Sequence, residues 1–184
     1  MMEKPRKALA LLLCALLFAV APAAGEATEA EQAHVSGDYE FVLLPDGGVR
    51  ITNYTGGAAE LTVPNELEGR PVREIGLAAF VLGEALTKVT LPEGLTGIDD
   101  LAFNGCENLT EITLPESLES IGEFVFVSCG DLTEISLPES LESIGKNAFS
   151  FCSPALTLIV TRDSYAEQYA VDNGIAYAYA GASG

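Results

Sequence analysis

The chain contains no tryptophan and only one histidine, His34. A single imidazole leaves little for a histidine-based catalytic pair or a multi-histidine metal centre. Cationic side chains are also scarce. Nine lysines and arginines stand against 27 aspartates and glutamates, for a formal net charge of −18. That imbalance repels phosphates and argues against nucleic acid or an anionic membrane as a partner. Long apolar runs are scarce too: one spans residues 8–21, and no second one appears. The rest of the composition is ordinary for a folded protein. The 184 residues suit one domain, and 48% apolar with 20% charged residues is far from a disordered composition.

The first 23 residues have the three parts of a secretory signal. Lys4, Arg6 and Lys7 precede the 8–21 run, and Ala21-Pro22-Ala23 follows as a small-x-small cleavage site. Fourteen apolar residues fall short of the roughly 20 that a membrane span needs, so no membrane insertion is expected once the signal is removed. Residues 24–36 are rich in Glu and Ala and read as an acidic disordered linker. His34 lies inside it, as a solvated side chain rather than a base in a fixed pocket.

A 23-residue repeat fills most of the remaining chain. Residues 86–108 read LTKVTLPEGLTGIDDLAFNGCEN, residues 109–131 LTEITLPESLESIGEFVFVSCGD, and residues 132–154 LTEISLPESLESIGKNAFSFCSP. Pro92, Pro115 and Pro138 keep this step. So do Ile98, Ile121 and Ile144, then Phe103, Phe126 and Phe149, then Cys106, Cys129 and Cys152. A degenerate copy precedes them, with Leu61-Thr62-Val63-Pro64 for the strand and Ile75, Gly76 and Phe80 for the later half. Before it, residues 40–44 and 48–53 form a hairpin pattern around Pro45-Asp46-Gly47-Gly48. After the last copy, residues 156–161 supply a strand. Residues 163–173 then read as a short helix with Asp163 or Ser164 as N-cap, Tyr165, Tyr169 and Ala170 on one face, and Gly174 as the stop.

This periodicity predicts a leucine-rich repeat solenoid of short parallel strands in 23-residue coils. An N-terminal β-hairpin cap over residues 37–60 and a C-terminal helix cap close it, with repeats at 61–155 and a strand, capping helix and tail at 156–184. In each coil a strand turns alternate residues inward, Ile112 and Leu114 for example. The proline ends the strand, and the later Leu, Ile, Phe and Cys return to the interior. One coil cannot bury these residues alone, whereas stacked coils share one core.

The L-x-x-I-x-L-P…I-G…F…C pattern and the closing segment at 164–175 resemble the BspA-like class of bacterial leucine-rich repeats. The resemblance runs over roughly residues 37–179. It implies a secreted or surface protein used for attachment to host, matrix or other cells, without enzymatic activity.

Five features are candidates for a site. The strand face is the first, with Lys88, Thr90, Glu111, Thr113, Glu134 and Ser136 as binding positions and Leu158 and Val160 read as facing outward beside them. It is polar and poor in the aromatic anchors of tight interfaces. Acidic columns come second: Glu93, Glu116 and Glu139, then Glu119 and Glu142, then Glu111 and Glu134. Calcium on these columns is the one cofactor left open, yet no dense Asp/Asn/Gly ligand loop accompanies them; a solvated acidic face is the expectation. Third, Cys106, Cys129 and Cys152 share an interior column and read as buried apolar fillers, since zinc wants paired ligands and a fourth donor. Fourth, Leu77, Leu101 and Phe124, with Val81, Leu82, Val127 and Phe151, occupy positions where the template is indifferent. They are expected to pack between coils. Fifth, Asn53 and Asn108 begin sequons, which occur often by chance. No catalytic residue stands out. The resulting expectation is an exported, non-enzymatic protein-binding module with an unidentified protein partner. The alternative is a structural module of an envelope or matrix, open to stabilisation by cations.

Overall fold

A computed structural model describes residues 32–181. Its 14 strands and one helix wind into a stack of short coils. The N-terminal end is an antiparallel ribbon of β1 (His34–Ser36), β2 (Tyr39–Leu43) and β3 (Val49–Tyr54). The chain then alternates between two faces. One face carries β4 (Glu60–Thr62), β7 (Lys88–Thr90), β9 (Glu111–Thr113), β11 (Glu134–Ser136) and β13 (Thr157–Val160). The other continues from β3 through β6 (Arg70–Ile75), β8 (Gly97–Ile98), β10 (Ser120–Ile121) and β12 (Ser143–Ile144), all parallel. The additional β5 (Glu66–Leu67) pairs antiparallel with β6. It accommodates the longer link of the degenerate first copy.

The repeat translates directly into this winding. Within the strand L-x-x-I-x-L-P, Ile112 and Ile135 are buried while their neighbours are exposed. A tight turn follows each proline: the amides of Leu95, Leu118 and Leu141 donate to the carbonyls of Pro92, Pro115 and Pro138. Proline fits there because that residue contributes only its carbonyl to the turn. Rings then line up along the axis. Tyr54, Phe80, Phe103, Phe126 and Phe149 stack with centroids 4.9–5.8 Å apart, and Tyr169 closes the row edge-on at 6.1 Å from Phe149. One continuous core therefore runs from the hairpin to the helix.

The glycine of the I-G pair has a steric role. Gly76, Gly122 and Gly145 share a column with Asp99, and each amide donates to the preceding coil, Gly145 to Ile121 and Gly122 to Ile98. A β-carbon on Gly145 would overlap the backbone of Gly122 and Glu123, and one on Gly122 would lie 2.7 Å from the Asp100 nitrogen. Backbone atoms cannot swing aside as a side chain can. Gly145→Ala is therefore expected to cost about 3 kcal/mol, the upper range for overpacking. A denaturant midpoint that does not move would show that the coils are free to spread.

The corner opposite the strands holds two columns of left-handed residues. Ala78, Leu101, Phe124 and Asn147 have φ of 53–59°, and Leu82, Gly105, Ser128 and Phe151 have φ of 54–75°. Only glycine and asparagine are at home there; other residues cost roughly 1–2 kcal/mol. Inter-coil bonds hold them. The amides of Ala78, Leu101 and Phe124 donate to Asp100, Glu123 and Lys146 carbonyls, and those of Leu82, Gly105 and Ser128 to Asn104, Val127 and Ser150. Leu101 and Val127 are half-buried between coils, as expected, but Phe124 is exposed, and Phe151 is 85% exposed. Phe151 is the extreme case. It stands in the last coil, where no further repeat covers it.

Two more expectations change. His34 is not a solvated linker residue. It lies on β1, stacks on Phe41 at 5.3 Å, and has a buried, unpaired Nε2. The strand pairing of His34 with Phe41 extends the cap to residue 34. The C-terminal end also gains a strand. Helix α1 (Tyr165–Asn173) has Ser164 as N-cap, its side chain accepting from the Glu167 amide, and Gly174 as a left-handed C-cap. Ala166, Tyr169 and Ala170 are its buried residues, while Tyr165 is 44% exposed. Beyond the helix, β14 (Ala176–Tyr179) pairs parallel with β13. Residues 1–23 and most of the 24–36 segment lie outside the described residues.

Candidate functional site

The strand face carries two outward columns. The first runs Glu60, Lys88, Glu111, and then Glu134, Thr157, Ala176; the second runs Thr62, Thr90, Thr113, and then Ser136, Ile159, Ala178. Backbone pairing fixes the register within each group of three strands. Between them β9 and β11 lie side by side without ladder pairing, so the six residues named from the sequence divide into two sets. Lys88, Thr90, Glu111 and Thr113 stand together on paired strands, and Glu134 and Ser136 stand on the next.

Lys88 Nζ meets Glu111 Oε1 at 2.7 Å. The bond to Glu111 and its charge hold the ammonium pKa above its ordinary value, with Glu60 adding to the effect. Because the pair is exposed, its main consequence is to fix two long side chains, not to stabilise the fold. Lys88 neutralises one acid of its column, while Glu60 and Glu134 remain without an ion pair among the described residues. The hydroxyl column beside it adds donors and acceptors at ladder spacing, about 4.8 Å.

Leu158 and Val160 do not belong to this surface. Both are fully buried, and the outward residues of β13 are Thr157 and Ile159. The sequence pattern aligns Leu156 with Leu132, but the backbone pairs Ile135 with Leu158, a step of 23. One extra residue after Cys152 is absorbed before the strand begins. A slip of one residue exchanges the two faces of a strand. Glu60 and Thr62 join the face as additions to the six, although the Leu61-Thr62-Val63-Pro64 match to the repeat already places them beside Lys88 and Thr90.

The opposite sheet holds a shallow groove of about 440 Å³ over Gly97, Ser120 and Ser143. Arg50, Glu74, Asp99 and Glu119 rim it. Arg50 and Glu74 are joined at 2.5 Å, so the one cation of this rim is already engaged.

The cysteines are free thiols in a single column. Cys106 Sγ donates to the Phe80 carbonyl at 3.3 Å, Cys129 to Phe103 at 3.4 Å, and Cys152 to Phe126 at 3.1 Å. Burial pushes Cys106 and Cys152 up to about 11, and Cys129 higher still. Thiols held neutral in this way are poor nucleophiles. The acidic columns at 93, 116 and 139 and at 119 and 142 are exposed. Among the described residues no three His, Cys, Asp or Glu side chains come together in a metal-holding group, and no helix is long and apolar enough to cross a membrane.

A coiled stack of short parallel strands around one leucine-lined core defines a leucine-rich repeat protein. The particular kind is settled by comparison. The BspA type leucine-rich repeat region matches residues 60–173 in six copies, and the chain belongs to that family. A leucine-rich repeat protein from Bacteroides capillosus superposes with a TM-score of 0.63 at 33% identity, over 70% of this chain and 98% of that one. The leucine-rich repeat protein of T. pallidum gives 0.56 at 30% identity, over 69% and 71%. The pneumococcal vaccine antigen PcpA gives 0.60 at 28% identity, over 72% of this chain but only 32% of that longer one. A search of curated proteins finds no match.

Proposed function

We propose that the chain is an exported, non-enzymatic protein-binding module that makes contacts at a cell or host surface through its strand face. The observation that carries this reading is the rigid two-column face itself. It presents unpaired carboxylates at Glu60 and Glu134 beside the Thr62–Ser136 hydroxyl column, on strands whose inner residues are locked in the core. Its acidity complements a basic partner, which would speed encounter and set register more than it would add affinity. Kinship with BspA-type repeats, the basic-apolar start of the sequence and the absence of an activated nucleophile among the described residues support the same reading.

The test is saturable binding of the purified protein to a panel of host matrix proteins and to bacterial cells. At least one target should bind, and Thr113→Arg with Glu134→Arg should weaken that binding tenfold or more without moving the melting temperature. If no target binds, or if the double variant binds as well as the parent, the strand face is not the contact surface.

A further inference from the structure

The two ends of the solenoid are finished differently. At the N-terminal end an antiparallel ribbon continues the β6 sheet of the first coil, and on the strand face β4, the edge strand among the described residues, carries Glu60. At the C-terminal end the last strand, β14, pairs with β13 on one side and, among the described residues, with nothing on the other. Open strand edges are normally blunted by charge, proline or a bulge. Here residues 174–184 read GIAYAYAGASG, without one charged residue or proline in a chain of net charge −18. Exposed apolar side chains gather at the same end. Of the six large hydrophobic residues that are exposed among the described residues, Tyr165 (44%), Val171 (55%) and Tyr177 (38%) belong to α1 and β14.

The register says which groups are free. The Ala180 amide donates to the Val160 carbonyl. Backbone groups alternate sides along a strand, so those of Ala176 and Ala178 also face β13, while the N–H and C=O of Tyr177 and Tyr179 point to the open edge. Tyr179 is held in place by its surroundings: its hydroxyl donates to Glu167 at 2.5 Å, and the Arg162 guanidinium lies 3.8 Å from its ring centre.

The geometry points to a second copy of this chain as the occupant, joined edge to edge through β14. Two antiparallel β14 strands related by a two-fold axis satisfy all four free groups at once. Tyr177 of each copy faces Tyr179 of the other as a hydrogen-bonded pair, and Ala178 faces Ala178 on the axis as a non-hydrogen-bonded pair. Elsewhere the two acidic surfaces repel; β14 itself carries no charged side chain, so approach is cheapest along it. The axis stands perpendicular to the sheet, so the strand faces of both copies merge on one side into a bivalent surface. The contact itself does not depend on what that surface binds.

Sedimentation of the purified protein should show a dimer whose fraction rises with salt, because salt screens the repulsion between copies. Ala178→Lys, which sets two charges against each other across the axis, should leave a monomer with an unchanged melting temperature. In a Cys152→Ser background, Ala178→Cys should be driven by oxidised glutathione to a disulfide-linked dimer, since opposed α-carbons in such a pair lie within bonding range. Ala176→Cys should not link, because Ala176 is displaced from the axis. Three results overturn the proposal: a monomer at roughly 100 μM in high salt, where even a weak pair would form; a dimer that survives Ala178→Lys; or equal cross-linking at both positions. Binding of a foreign extended peptide to β14 with the protein still monomeric would assign the edge to another occupant and equally overturn it.

Discussion

Phe126→Ala should lower the unfolding free energy by about 3–5 kcal/mol, read as a shift of the urea midpoint. The ring is fully buried at the centre of the aromatic row, 5.8 Å from Phe103 and 5.3 Å from Phe149. Truncation removes its transfer free energy and leaves a hole whose walls cannot close. The flanking rings are fixed in their own coils, and Cys152 donates to the Phe126 carbonyl from the next. Such a loss is a large share of the 5–15 kcal/mol, or roughly that, which holds a domain together. The effect should also spread, since a solenoid is held together only by contacts between neighbouring coils. Hydrogen exchange in the coils of Phe103 and Phe149 should quicken before that of the N-terminal ribbon. A midpoint shift below about 1 kcal/mol would mean that the row is not a continuous core.

The second large effect is alkaline. Between pH 9 and 11 the protein should lose about 2 kcal/mol through Cys106 alone, with Cys129 adding to the loss. An unfolded thiol ionises near 9.0, whereas burial holds Cys106 neutral until about 11 and Cys129 beyond that. Below pH 9 both states are protonated and the thiols contribute nothing to the pH dependence. Above it the unfolded chain sheds protons that the folded one keeps, so stability falls as pH rises. Tyr39 and Tyr179, both raised to about 12, act in the same direction at higher pH, the first by burial and the second by its bond to Glu167. The Cys106→Ala, Cys129→Ala double variant separates the contributions: its denaturation midpoint should fall much less from pH 8.5 to pH 10.5. Equal slopes would mean that the thiols ionise freely and that the column is open to water.

The 23-residue period determined the solenoid, because each repeated column names a residue that one coil cannot bury by itself. Phe103, Phe126 and Phe149 were legible as a core row from spacing alone, and the two caps from the hairpin and Ser164–Gly174 signals. Local patterns of this kind suffice wherever successive coils are equivalent. They fail where equivalence ends. At the last coil Leu156 arrives one residue late, which suggests a shifted strand, yet the strand keeps the step of 23: Leu158 and Val160 face inward, and Thr157 and Ile159 face outward. Beyond it, β14 formed because an unsatisfied edge on β13 was available, which nothing in AYAY announces.

The corner columns show a second kind of limit. Leu101, Phe124 and Phe151 gave no sign of a left-handed backbone, and their side chains oppose it. That conformation is imposed at Leu101 and Phe124 by hydrogen bonds to the following coil, whose bonds compensate an intrinsic cost that the sequence alone makes look prohibitive. The sequence by itself thus determined which residues are interior and how far apart the coils repeat, through the short-range chemistry of strands, prolines and apolar columns. Only the tertiary structure decided how the late Leu156 is absorbed before the final strand, where the described chain leaves an edge unpaired and which side chains stand together on the strand face, because these depend on one coil meeting the next.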